Sequence, residues 1–158
     1  GIKNQPGMIY SSVVNNKFLQ GHMEHETLVL GHNTYKSFST NGKNVDILVL
    51  SAKEKPGRHG KAYFYKNLRT LVEDHDSFVV IGGSQMFHLF IQIADQVILT
   101  WIGVSTTATD CLYFPRWALE RDFYCKLEMP PVNDIEILSQ LNTEIIFTQW
   151  ERKTASLH

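Results

Sequence analysis

Apolar residues in this chain fall in short dense runs, and polar, glycine-containing stretches separate them. Thr27-Leu28-Val29-Leu30, Ile47-Leu48-Val49-Leu50 and Phe78-Val79-Val80-Ile81 are continuous and largely β-branched or leucine. Such runs predict strands buried on both faces, as in a parallel sheet. Ala62-Tyr63-Phe64-Tyr65 is a weaker run of the same kind, and Gln96 to Ile102 predicts a further strand. Between the runs the spacing moves toward the helical period. Val14, Phe18, Leu19 and Met23 share one helix face, and a helix is expected around Asn67 to Glu73. A short helix holding Tyr35 and Phe38 is capped by Asn33 or Thr34. From Ser84 to Ile93, the positions of Met86, Phe87, Leu89, Phe90 and Ile93 suit a packed helix. Ser39 to Gly42 reads as a turn, the stretch through Pro56-Gly57 as a polar loop, and Asp110 to Pro115 as extended. Phe123 to Leu127 and Glu144 to Trp150 read as two last strands.

Strands alternating with helices predict an α/β fold with a mostly parallel central sheet, flanking helices and an antiparallel C-terminal edge. Phe78 to Ile81 is expected at the sheet centre, and Gly82-Gly83 then lead into a helix. Strand, two glycines and helix let backbone approach a ligand and aim N–H groups at a phosphate. A glycine pair after a strand is by itself also the mark of a simple tight turn. In open parallel sheets the ligand lies beyond the carboxyl ends of the strands. Gly31, Ser51, Gly82 and Thr100 sit at or near those ends.

With 158 residues, 43% hydrophobic and 20% charged, the chain has ordinary globular composition and the length of one domain. A net charge of −1 gives no general attraction to nucleic acid or anionic membrane. No run of eighteen apolar residues and no signal-peptide pattern is present. A cytoplasmic monomer acting on small molecules is expected. Cys111 and Cys125 lack metal-ligand spacing and read as buried thiols, with a disulfide the lesser alternative. His22 and His25 would share a helix face, but no third metal ligand accompanies them.

Taken in order, these motifs resemble the dihydrofolate reductase family. Leu28 to Phe38, with Gly31-His32-Asn33-Thr34-Tyr35 at its centre, resembles the family's strand, Gly-Arg-x-Thr-Trp/Tyr and short helix. Leu48-Val49-Leu50-Ser51, Val80 to Phe87, Ala94 to Thr100, Asp110 with Phe114-Pro115, and Trp150 to Lys153 resemble later family elements. The resemblance runs from about Gly1 to Lys153 and implies reduction of 7,8-dihydrofolate to tetrahydrofolate with NADPH. It implies cofactor contacts from Gly31, His32, Asn33, Thr34, Leu50, Ser51, Lys53, Gly82, Gly83, Ser84, Gln85 and Met86. It also implies a cis peptide between the two glycines, and binding of antifolates. His32 and Gln85 stand at positions where the family often has Arg, so permanent positive charge toward a 2′-phosphate is reduced.

Gly1-Ile2-Lys3-Asn4 resembles the family's Gly-Ile-Gly-Lys-Asn loop, and the family's first strand then has no counterpart from Gly1 onward. The rival register makes Met8 to Val14 that strand, at the expense of the following loop and helix. On the preferred register Tyr10, Asn16, Leu19, Phe38 and Ile81 are implied substrate contacts, and Asn15 and Thr100 are implied at the catalytic positions. Asn15 occupies the place of the carboxylate that favours protonation of the pterin. An amide hydrogen-bonds but carries no charge. The first acidic residue is Glu24, and Glu26 would lie about 16 Å along a helix from Asn15. Val45 takes the place of the Arg that holds a folate glutamate tail, with Lys43 the nearest cation. The alternatives are a catalytically weak or inactive nucleotide-binding protein of the same fold, and a related pterin or ribosylaminopyrimidine reductase.

Overall fold

The structure, a computed structural model, describes residues 19–38, 45–102, 113–129 and 145–154. Residues 19–23 are helical (α1). The chain continues through β1 (Leu28–Gly31), α2 (His32–Ser37), β2 (Ile47–Leu50), β3 (Gly57–His59), β4 (Ala62–Tyr65) and α3 (Leu68–Asp74). It ends with β5 (Val79–Gly82), α4 (Ser84–Phe90), β6 (Gln96–Ile102), α5 (Arg116–Asp122), β7 (Phe123–Glu128) and β8 (Ile145–Arg152). The turn expected at Ser39 to Gly42, Asp110, Cys111 and the start of the first helix lie outside the described residues.

Two sheets result. The first has the order β3-β4-β2-β1-β5, parallel except for β3, and the second is antiparallel with the order β6-β8-β7. Among the described residues the strand at Val79 to Gly82 pairs with β1 alone, rather than standing at the centre as its apolar run leads one to expect. It forms an edge among the described residues, and Val79, Val80 and Ile81 are only half-buried, whereas all four residues of β2 are buried. A continuous apolar run reports that both faces are covered; it does not report how many neighbours pair with the strand's edges. Among the described residues the middle strand is β2, between β4 and β1, and β1 is likewise paired on both sides, with β2 and β5.

Alternation along β1 divides the core. Val29 joins Leu48, Leu50, Tyr65, Leu71, Met86 and Phe90 on the face covered by α3 and α4. Leu28 and Leu30 join Ile47, Val49, Ala62 and Phe64 on the other, where Met23, Tyr35 and Phe38 pack against them. A third cluster of Ile91, Ala118, Leu119 and Phe123 meets Val97, Leu99 and Trp150 of the second sheet. Arg152 clamps this junction. Its guanidinium donates to the carbonyls of Ala94 (2.8 Å) and Ile91 (2.7 Å) and lies 4.6 Å from the centre of the Phe123 ring. The turn closing α4 is thereby tied to the end of β8.

Two elements escaped the hydrophobic pattern. Gly57-Arg58-His59 has no apolar alternation, and β3 forms because the chain reverses through Gly60 (φ 61°) and pairs backbone with β4. α5 is only seven residues long, yet its signals were present: Pro115 before the first turn, buried Ala118 and Leu119, and Arg116 paired with Glu120 at 2.7 Å. Cys125, expected to be buried, is exposed on β7 as a free thiol. The helix of residues 19–23 stops before His25, which has φ 62°, so His22 and His25 do not share a helix face. Among the described residues no helix is long and apolar enough to cross a membrane, and no group of three His, Cys, Asp or Glu could hold a metal ion.

Tyr65 ties β4 to α3. Its hydroxyl donates to Asp74 Oδ2 at 2.9 Å and lies 3.0 Å from His75 Nε2. Burial, followed by the hydrogen bond and negative charge of Asp74, pushes the phenol up to about 12 from 10.0. Because the folded value is raised, this stabilisation is complete below pH 10 and fades as pH rises toward 12. Spectroscopic titration is expected to show a late tyrosine transition near pH 12. Tyr65→Phe should lower stability by about 1 kcal/mol at neutral pH and remove that late transition; its persistence would assign it to another residue.

Candidate functional site

The carboxyl ends of β1, β2 and β5 form one rim of the first sheet. Gly31 is opposite Leu50 across β1 and β2, and Leu30 is opposite Gly82 across β1 and β5, after a register shift between Val29 and Leu30. α2 starts directly after Gly31 and α4 directly after Gly83, and neither N-cap glycine supplies a side-chain cap. The cap expected from Asn33 or Thr34 is thus replaced by Gly31, because the helix begins earlier, at His32.

The glycines allow these segments to meet. A Cβ on Gly31 would lie 3.2 Å from Met86 Cγ and 3.8 Å from both the Gly82 carbonyl oxygen and the Gly83 nitrogen. A Cβ on Gly83 would lie 3.2 Å from Thr34 Oγ1, and one on Gly82 3.6 Å from the same atom. The Gly82-Gly83 peptide is cis, and Gly82 has φ 135°. Gly31, Thr34, Gly82, Gly83 and Met86 therefore converge, with a threonine hydroxyl directed at the glycine pair. Backbone brought this close, beside helix starts without side-chain acceptors, suits an anionic group.

The remaining implied cofactor residues differ in burial and in their contacts. Ser51 is buried, and its hydroxyl accepts the backbone N–H of Glu54 at 3.3 Å. His32 Nε2 lies 3.4 Å from Glu54 Oε1. Leu50 is buried in the core, whereas Asn33, Lys53 and Gln85 are exposed. The Ser84 hydroxyl donates to the Tyr113 carbonyl at 2.7 Å and so secures α4 to the segment before α5. Glu54 was missed in the sequence, although Ser51-Ala52-Lys53-Glu54 has the spacing of a capping box that could have drawn notice.

Of the residues implied as substrate contacts, Phe38 and Ile81 pack against one apolar cluster, where Val45 also packs. Leu19 is half-buried on α1. Thr100 is half-buried in the other sheet, opposite Phe147 on β8. Tyr10, Asn15, Asn16 and Lys43 lie outside the described residues.

Comparison with known proteins agrees with this fold. The family model for dihydrofolate reductase matches residues 4–149, and the chain belongs to the dihydrofolate reductase family. A dihydrofolate reductase from Enterococcus faecalis, complexed with NADP(H) and RAB-propyl, superimposes with a TM-score of 0.74 at 18% identity. The match covers 92% of this chain and 84% of that one, and it establishes the shared fold. Segregation and condensation protein A of Mycoplasma pneumoniae is 29% identical over 86 residues. That match covers 52% of this chain and only 17% of the length of that curated relative.

Gly82 provides a test of the convergence. At φ 135° a side chain is strained whatever space surrounds it. Gly82→Ala is expected to lower stability by about 1 to 3 kcal/mol in denaturant unfolding. A change under about 0.5 kcal/mol would show that this backbone conformation is not required.

Proposed function

We propose that this chain is a dihydrofolate reductase-like oxidoreductase that uses NADPH to reduce dihydrofolate to tetrahydrofolate. The observation that carries the reading is the meeting of Gly31, Thr34, Gly82, Gly83 and Met86 at the carboxyl ends of β1 and β5. A side chain on Gly31 or Gly83 would crowd this cradle, and its donor set of backbone N–H groups and a hydroxyl fits a pyrophosphate. Family membership and the NADP(H)-bound neighbour support a nicotinamide dinucleotide in this groove. When bound, NADPH supplies the hydride that passes to the pterin ring.

On this reading Gly31 to Thr34 and Gly82 to Met86 hold the phosphates, chiefly through backbone N–H groups and the Thr34 hydroxyl. Leu50, Ser51 and Lys53 flank the adenosine end. Phe38 and Ile81, which share one apolar cluster, contact the substrate together with Tyr10, Asn16, Leu19 and Thr100. Asn15 hydrogen-bonds the pterin but offers no negative charge to hold the ring protonated. Slow turnover follows. Val45 packs among apolar residues where a cation for a glutamate tail would be needed, which favours pterins without that tail as the better substrates. Antifolates that fill the pterin position are expected inhibitors.

Asn15 also favours a second reading, a nucleotide-binding protein of the same fold that has lost the chemistry. The loss of NADPH absorbance in the presence of dihydrofolate separates the two. Turnover supports the reductase, and NADPH binding without turnover on dihydrofolate or a simpler pterin supports the second reading. Asn15→Asp is expected to raise hydride transfer by about 10²- to 10⁴-fold. An unchanged rate in an active enzyme would remove Asn15 from the catalytic position.

A further inference from the structure

The corner beyond the end of β2 holds a histidine–carboxylate contact that phosphate recognition alone does not call for. Gly31 and Leu50 are in register, so His32 and Ser51 leave the sheet side by side. Ser51 accepts the backbone N–H of Glu54, which folds the loop back and sets Glu54 Oε1 3.4 Å from His32 Nε2. On another side the imidazole makes an edge contact with the buried Phe64 ring, with centroids 6.2 Å apart. The His32 side chain is 25% exposed and that of Glu54 41% exposed, so both are open to a ligand at the carboxyl end of the sheet. Lys53 and Lys55 are exposed and form no ion pair with a described residue, and Gln85 on α4 is uncharged.

We infer that the His32–Glu54 pair sets the dinucleotide preference of this groove, so that NADPH holds no advantage over NADH. The inference rests on the reading that a nicotinamide dinucleotide lies here with its adenosine ribose toward His32 and Ser51. The two dinucleotides differ only in a 2′-phosphate. Tight recognition of that group uses a permanent forked cation, which a guanidinium provides and an imidazole does not. Here the imidazole already faces a carboxylate. Any phosphate held by the ring would lie within a few ångströms of that negative charge and be repelled. The same carboxylate is a suitable acceptor for a free ribose 2′-hydroxyl. Lys53 and Lys55 offset part of the repulsion, but as exposed, solvent-screened charges.

Calorimetric titration of NADPH and NADH into the wild-type protein, Glu54→Gln and His32→Arg tests this without relying on turnover. The wild-type Kd values should agree within about threefold, and Glu54→Gln should shift their ratio toward NADPH by about five- to tenfold. His32→Arg should shift it in the same direction, which provides a second variant should the first be perturbed. A wild-type preference for NADPH above about tenfold would overturn the role of the pair. So would an unchanged ratio in both variants while both dinucleotides bind. Binding of neither dinucleotide to the wild-type protein would instead overturn the groove itself, and this inference with it.

Discussion

Three backbone segments meet at the rim of the first sheet because no side chain separates them. Gly31 ends β1, Gly82 ends β5 with Gly83 directly after it, and the first turn of α4 brings Met86 against Gly31. Thr34 reaches back from α2 toward the same glycine pair. Any Cβ on Gly31 or Gly83 would press on a neighbour at 3.2 Å, closer than side-chain carbons ordinarily pack. The glycines therefore set how closely α2 and α4 approach, and that approach fixes the groove. The proposed function depends on this constraint more than on any single charged residue.

The rest of the molecule holds the rim in place. β1 is paired on both sides and buried on both faces, so the start of α2 cannot drift. α4 is fixed at both ends. Ser84 donates to the Tyr113 carbonyl at one end, and Arg152 donates to the Ile91 and Ala94 carbonyls at the other. Arg152 thus satisfies backbone acceptors at a helix end, and its guanidinium stacks on the largely buried Phe123. Through these contacts the antiparallel sheet steadies the element that presents Gly83 to the groove.

Much of this was legible in the residues. Ile47 to Leu50, Ala62 to Tyr65 and Gln96 to Ile102 form strands with the bounds that their apolar runs suggest. Asn67 caps α3 through its side chain, as a short polar residue before a helical run should. Family membership followed from several ordered motifs and is supported across residues 4–149. Other features could not be read. The apolar run before Gly82 says that its faces are covered but not which strands flank it, and among the described residues only β1 does. β3 depends on backbone pairing with β4 and has no side-chain signature. The His32–Glu54 contact depends on how the Ser51 loop folds back, a long-range geometry that spacing within the chain only hints at.

The central claim is that a dinucleotide lies against Gly31, Thr34 and the Gly82-Gly83 pair. The most direct measurement is a titration of NADPH and NADH into isotopically labelled protein, followed by backbone amide resonances. The account predicts that the amides of Gly31, His32, Thr34, Gly82 and Gly83 shift together, with one saturation curve for each dinucleotide. Saturable shifts confined to other residues, or no shifts at millimolar dinucleotide, would contradict it.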